Sequence, residues 1–411
     1  MIINKDTKIV QWFFAVVVML LSGHAAQTIF SWTGILLYAV GVISIAMLIL
    51  MKKDGKVDWA TVLFITMGAM IFCTFAAQLF GGFGFYFRMF CCVSTAFFIV
   101  RFYPFEDAVG AYRHIMTVTT VIAIIGFIIL HNTNILDVLP SYNNVNDKQF
   151  GFSMLYSYLV THTERNCGMF WEPGLLATHL TFAMIVELLF VEKTDWKRIV
   201  LYIVGFITAS SSAGYVLVFL CLLLMIIRGD KKESSALRFL FKCVTIIVAV
   251  IVILNFDNIL SMTALGENEY FLKLSSDSLN NSSRSMALAH NFKVFAMEPI
   301  FGVGIARANE LMDHVADTST STFLLSVFGL LGAVYTIAWV CGVFFIKNLN
   351  VMSKVVLVVV VLVILNKEPH HMLILTWVVL FYLIGGKAKC CTCQRKSGRD
   401  LFTKREECNE Y

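Results

Sequence analysis

The feature that most constrains this chain is a succession of apolar blocks, each close to the roughly 20 residues that a helix needs to cross a membrane. Short connectors rich in charged residues separate these blocks, which is typical of a polytopic membrane protein. The composition agrees, because 58% of the 411 residues are hydrophobic and only 14% are charged. Soluble domains, in contrast, are about 45–50% apolar and about 25% charged. The sequence therefore predicts an all-α polytopic membrane protein rather than a soluble one. Hydropathy places about twelve spans at about 9–29, 31–51, 60–80, 84–101, 113–131, 169–191, 198–211, 213–228, 239–256, 321–346, 354–367 and 370–386.

The basic residues of the short connectors predict the topology. Lysine and arginine concentrate in every second connector, and such connectors are cytoplasmic in membrane proteins. Both termini are then cytoplasmic, and two long loops, about 132–168 and 257–320, lie on the other side with more acidic than basic residues. We predict one transmembrane domain over residues 1–386 and a basic tail over 387–411. The net charge of +5 reflects these connectors and does not indicate a nucleic-acid partner.

Residues 199–227 are too few for two full spans at about 1.5 Å per residue. Their centre, residues 208–214, is a run of small and polar residues. Irregular backbone at membrane depth requires protein or a watery cavity around it, so we predict two short, broken helices that end in a cavity. The alternative is close helix packing through small residues.

The cysteines and histidines indicate no metal site. Six of the eleven cysteines lie in apolar spans, where a thiol packs as a small hydrophobic group. Four lie in the tail, without a histidine or the spacing of a zinc ribbon. Cys167, near the outer loops, has no obvious disulfide partner. His370 and His371, in a short outer connector, make a weak metal pair because adjacent residues rarely share one ion.

Two segments place an arginine beside proline and glycine where an apolar run meets a polar loop. They are residues 165–174, which begin with Arg165, and residues 282–304, which contain Arg284. An arginine side chain presents a planar fork of donors that matches phosphate, so these two residues are our first candidates for binding a phosphate group. Arg307 and Arg88 come next. Arg88 lies in the outer turn of a predicted span, where a charge is costly and often functional. The alternative is that these arginines only anchor helix ends at the interface.

Several short motifs occur in a distinctive order. Arg-x-x-Gly-x-Phe-Trp-Glu-Pro-Gly (165–174) opens a span, and a Ser-rich break ending in Gly-Tyr follows at 208–215. Ser-Arg (283–284), Glu-Pro-Ile-Phe-Gly-x-Gly (298–304) and Phe-Gly-Leu-Leu-Gly (328–332) come after it. This order resembles the O-antigen polymerase (Wzy-type) and O-antigen ligase superfamily of bacterial polysaccharide synthesis, over roughly residues 160–335.

The resemblance implies a multi-pass glycosyltransferase of the C type in the bacterial inner membrane, active at the periplasmic face without metal or other cofactor. Its substrate would be an oligosaccharide linked to undecaprenyl pyrophosphate, with membrane lipid around it and a chain-length regulator and a flippase as pathway partners. Ligases of the superfamily carry a histidine eleven residues before a Gly-Leu pair, where this chain has Thr318. That departure favours a repeat-unit polymerase over a ligase. A flippase or a secondary transporter is the alternative from another class, but two similar halves are not evident.

The resemblance leaves the general base unassigned. Glu172 precedes the proline that opens a helix, so it is either a base or sugar-binding acid, or a simple helix cap. His290, Asp313, His314 and Asp317 are the other candidates in the second long loop. A histidine suits proton abstraction near neutral pH, although a loop histidine is often only solvated.

Overall fold

A computed structural model describes residues 16–50, 57–79, 81–133, 139–144, 147–228, 283–311 and 319–390. Most of these residues are helical. The first half contains α1 (Ala26–Ile29), α2 (Trp32–Leu50), α3 (Trp59–Ala77), α4 (Phe83–Phe102) and α5 (Phe105–Asn132), then the strands β1 (Ser141–Asn143), β2 (Gln149–Phe152) and β3 (Ser157–Leu159). The second half contains α6 (Pro173–Leu189), α7 (Trp196–Ala209), α8 (Ser212–Arg228), α9 (Ser283–Met297), α10 (Gly304–Leu311), α11 (Thr320–Phe328), α12 (Ala333–Phe344), α13 (Val351–Leu365) and α14 (Ile374–Ile384).

The helices indicate a multi-pass membrane protein. Within the described residues, five helical stretches are long and apolar enough to cross a membrane: α2, α3, α4, α5 and Thr320–Phe344. Four shorter apolar helices, Pro173–Leu189, Ser212–Ile227, Val351–Leu365 and Ile374–Ile384, lie near predicted spans. The predicted span at 239–256 lies outside the described residues.

Two predicted spans are interrupted. The first is helical at 16–20 and then turns at residues 21–25, where Gly23 has a φ of +103°. The span predicted at 321–346 breaks between α11 and α12, at the 3-10 turn Gly329–Gly332. Gly332 packs against the backbone of Leu324, although residues eight apart in a straight helix are about 12 Å apart along the axis. The chain therefore turns back between α11 and α12. A hydropathy profile cannot detect such a turn, because the residues on both sides of it are apolar.

The first long loop contains a small antiparallel sheet, β1-β2-β3, which the all-α prediction did not include. Phe150 pairs with Tyr142 on one side and with Leu159 on the other. The Phe152 ring packs edge-on against His24 and Phe30, at centroid distances of 6.0 and 5.5 Å. The sheet is thus held by contacts with the interrupted first span, which are distant in sequence.

Hydrogen bonds and ion pairs join several of the described connectors into two groups. In one group, Arg101 forms an ion pair with Asp58 at 3.0 Å, and the Lys347 amide donates to the Ala388 carbonyl at 3.2 Å. In the other group, the Trp171 amide donates to the Gly23 carbonyl at 3.1 Å. The segment 165–174 and the elements that contact it belong to this second group.

Candidate functional site

The segment 165–174 contacts the break between α7 and α8. The Asn166 side-chain amide donates to the Ala123 carbonyl at 2.9 Å and to Thr208 Oγ1 at 3.0 Å. Arg165 Nε donates to the carbonyl of Ser210 at 3.2 Å, and Ser210 itself has a φ of +43°. The predicted pair of short helices with a polar break is confirmed. Arg165 lies at the carbonyl end of α7, where a cation is favourable, rather than extending from a helix to the interface.

Glu172 directly precedes α6, yet its side chain makes no capping hydrogen bond. Its Oε1 instead accepts from Lys148 Nζ at 3.0 Å, and the Glu172 side chain is 30% exposed. Lys148 lies in the loop between β1 and β2, so the small sheet brings a cation to this carboxylate. Glu172 is thus the N-cap residue of α6, but its carboxylate bonds to Lys148 and not to the first turn of the helix.

The segments 298–304 and 326–332 pack backbone against backbone. The Val303 amide donates to the Ser326 carbonyl at 3.0 Å, and the Leu330 amide donates to the Pro299 carbonyl at 2.8 Å. Gly302 and Gly329 have φ angles of +72° and +62°, which favour glycine. Two motifs that are individually weak in the sequence thus form one structural unit.

The third part of the candidate site is the connector 366–373 between α13 and α14. Lys367, Glu368, His370 and His371 are at most 3% exposed, although charged residues are almost never fully buried without partners. Thr320 Oγ1 donates to the Glu368 carbonyl at 2.6 Å and accepts from the His370 amide at 2.7 Å. The start of α11 therefore fixes the shape of this connector.

The same connector contacts the turn that follows Glu172. Lys367 Nζ donates to the Gly174 carbonyl at 3.0 Å, across 193 residues of sequence. A Cβ atom at Gly174 would lie 2.5 Å from Glu368 Oε1 and 2.9 Å from Lys367 Cε. Glycine at position 174 is thus what allows a buried lysine and a buried glutamate to approach the backbone at the start of α6.

Arg88 faces this connector from α4. Phe85 and Cys92 lie on the same helical face as Arg88, three residues before and four residues after it. The Phe85 ring is 5.8 Å from the His371 ring, and Cys92 Sγ is 3.5 Å from the Met372 carbonyl oxygen. Arg88 Nε is buried and has no hydrogen-bond partner within the described residues.

Both connector histidines are neutral at physiological pH. Burial, aided by the charge of Arg88, lowers the pKa of His371 to about 3. Burial also lowers the pKa of His370 to about 3, with smaller effects from His179, Lys367 and His371. Histidines with such low pKa values are weak bases, so these two are poor proton acceptors near pH 7.

The other predicted residues lie elsewhere or outside the described residues. His290 is exposed, with Nε2 2.7 Å from the Leu311 carbonyl oxygen. Arg307 is 55% exposed and forms an ion pair with Glu298 at 2.9 Å. Arg284 lies at the start of α9, where only its backbone is described, and Asp313, His314 and Asp317 lie outside the described residues. Where the chain is described, no group of three or more His, Cys, Asp or Glu side chains could hold a metal ion.

Sequence reasoning missed Lys148, Lys367, Glu368 and Thr320. The signal for the connector residues was present, because four ionisable residues follow one another around Pro369 between two strongly apolar helices. A short connector is usually solvated, so their burial could not be read from position alone.

No family model matches the chain, and a search of curated proteins and of solved structures likewise found no match.

Proposed function

We propose that this chain is a repeat-unit polymerase of bacterial surface polysaccharide. It would join oligosaccharide units linked to undecaprenyl pyrophosphate at the periplasmic face of the inner membrane. The observation that carries the proposal is the hydrogen bond from Lys367 to Gly174, together with the bonds of Thr320 to the same connector. Through the connector 366–373, these bonds join the segment 165–174 to the start of α11, the helix that leads into the motif at 328–332.

The proposed reaction requires two groups at the turn that follows Glu172: one that stabilises the leaving pyrophosphate and one that accepts a proton. A hydroxyl of the acceptor unit attacks the anomeric carbon of the donor chain, the bond to the pyrophosphate breaks, and the hydroxyl proton leaves. Arginine side chains stabilise the charge that grows on the pyrophosphate. Arg165 and Arg88 are the described candidates for this role, and Arg284 remains a candidate by its place in the motif. Glu172 is the proposed acceptor of the proton, because its carboxylate is partly exposed beside Gly174.

The test is deletion of the gene in the bacterium that carries it, followed by electrophoresis of the surface polysaccharide. Loss of a polymerase leaves one repeat unit on the lipid anchor, and a plasmid copy restores the ladder of longer chains. A bare anchor with polymer retained on its carrier would identify a ligase and contradict the proposal. An unchanged ladder would contradict both.

The proposed orientation gives a separate prediction. Reporters fused near Asn144 and Asn281 are expected to report the periplasm, and a reporter fused after Lys389 is expected to report the cytoplasm. The physical reason is the confinement of basic residues to alternate connectors. Paired reporters, one active only in the cytoplasm and one only outside it, make the measurement. A cytoplasmic signal from either long loop would reverse the topology and remove the proposed site from the periplasmic face.

A further inference from the structure

The buried connector 366–373 and the face of α4 opposite it carry charge that the fold does not balance. Lys367 has an acidic neighbour in Glu368 on the same connector. Arg88, in contrast, forms no ion pair with any carboxylate in the part of the chain that the structure describes. Arg88 is half-buried, and a partly buried cation without a counter-charge gains from a bound anion.

Four buried nitrogen atoms on these facing surfaces lack hydrogen-bond partners within the described residues. They are Arg88 Nε, His371 Nδ1 and both ring nitrogen atoms of His370, and His371 is only 2% exposed. Buried polar groups in folded proteins are nearly always hydrogen-bonded, so atoms of this kind indicate a place where a ligand can bind. Arg88 Nε is a donor, and the neutral His371 ring is a donor at Nδ1 in one of its tautomers.

The surroundings fix the His371 ring. The Phe323 ring stacks on it at 5.1 Å with an interplanar angle of 26°, and the Phe85 ring lies 5.8 Å away. The Trp377 indole donates to the His371 carbonyl at 2.9 Å, which fixes the backbone as well. A ring held in this way keeps Nδ1 in one position, so the site is pre-organised rather than formed on binding.

We propose that Arg88 and His371 bind a phosphate group, with Lys367 adding positive charge from the same connector. Phosphate matches the arginine fork and offers further acceptor oxygens for the histidine. The natural source of the phosphate rests on the proposed function, in which it is the pyrophosphate of the lipid-linked donor. The same side chains also accept free pyrophosphate.

The test uses the full-length protein in detergent and isothermal titration with inorganic pyrophosphate at constant ionic strength. We expect wild type to bind, and Arg88→Met and His371→Phe each to weaken binding at least tenfold. The Phe substitution retains the ring that stacks on Phe323 while removing both nitrogen atoms. His131→Gln, at the exposed end of α5, and Lys197→Met, at the exposed start of α7, are the matched controls and should bind within twofold of wild type.

Elution and thermal unfolding of each variant establish that it is folded. If Arg88→Met does not fold, Arg88→Lys replaces it, since it keeps the charge but loses the fork, and we expect the same tenfold loss. Absence of pyrophosphate binding by wild type, or unchanged binding by folded variants, would overturn the inference.

Two further measurements separate this inference from the proposed function and identify the source of the phosphate. Loss of pyrophosphate binding with an intact polysaccharide ladder in cells would support the site but reject the lipid-linked donor as its natural ligand, whereas the gene deletion alone tests the polymerase. Loss of the ladder with unchanged binding would reject the site alone. Titration with undecaprenyl phosphate in matched detergent distinguishes a lipid-borne phosphate, which should bind more tightly than the inorganic probe, from a free one, which should bind equally or better.

Discussion

Arg165→Lys is expected to reduce polymerisation on the order of a hundredfold or more, although it keeps the positive charge. In the structure, Arg165 Nε donates to the Ser210 carbonyl, and this bond orients the guanidinium plane at the end of α7. The two terminal nitrogen atoms have no acceptor within the described residues, so they can face a phosphate as a fork. A lysine has one ammonium group, which cannot hold Ser210 and present a fork at once.

The measurement is the chain-length ladder of surface polysaccharide in cells, with the protein level in membranes as a reference. Arg284→Lys is expected to behave in the same way. The matched control is Arg198→Lys, which lies at the opposite end of the same helix and contacts Glu187 at 3.4 Å, a contact that lysine can retain. A full ladder from both Arg165→Lys and Arg284→Lys would reject the pyrophosphate role of these residues.

The long apolar helices were predictable because hydropathy depends on composition and length alone. Spans predicted at 31–51, 60–80 and 84–101 correspond to Trp32–Leu50, Trp59–Ala77 and Phe83–Phe102. The break near Ser210 was also predictable, since polar residues at membrane depth require special surroundings. The sheet and the turn at Gly329–Gly332 were not predictable, because tertiary contacts stabilise both. The sheet lies in a segment that the sequence predicts to be a loop, and the turn lies in a segment that it predicts to be a membrane span.

The sequence predicted the residues of the candidate site only where the residue type and its motif indicate a binding or catalytic role. Arg165 and Glu172 belong to a motif with proline and glycine, and the sequence identified them. Lys367 and Glu368 belong to the candidate site because they contact Gly174, and Lys367 and Gly174 are 193 residues apart in the sequence. A single sequence does not report contacts of that range. The burial of a short charged connector therefore emerges only from packing.

Glu172→Gln is expected to reduce polymerisation by purified protein more than tenfold while the lipid-linked donor remains bound. A general base contributes in the transition state, so its loss lowers turnover and leaves ground-state binding largely intact. The amide is close in shape to the carboxylate but cannot accept the proton. Because Glu172 makes no capping hydrogen bond, helix α6 loses no such bond in the variant.

The ion pair with Lys148 provides the control that separates chemistry from structure. Exposed ion pairs contribute only about 0–1 kcal/mol to stability, and the Lys148 side chain is 49% exposed. Lys148→Met removes the same ion pair but keeps the carboxylate, so we expect its turnover to stay within a few-fold of wild type. Equal losses in Lys148→Met and Glu172→Gln would mean that the ion pair, and not the carboxylate, is what the reaction needs.

Donor binding and turnover should be measured on the same preparations, since a structural defect would lower both together. His314→Ala is expected to have a smaller effect than Glu172→Gln, because Glu172 is fixed between Trp171 and Pro173 at the mouth of α6 whereas His314 belongs to a long polar loop. Normal turnover by purified Glu172→Gln would reject Glu172 as the base. The proton acceptor would then have to be sought among His290, Asp313, His314 and Asp317, with His290 the least favoured because its ring already contacts the Leu311 carbonyl.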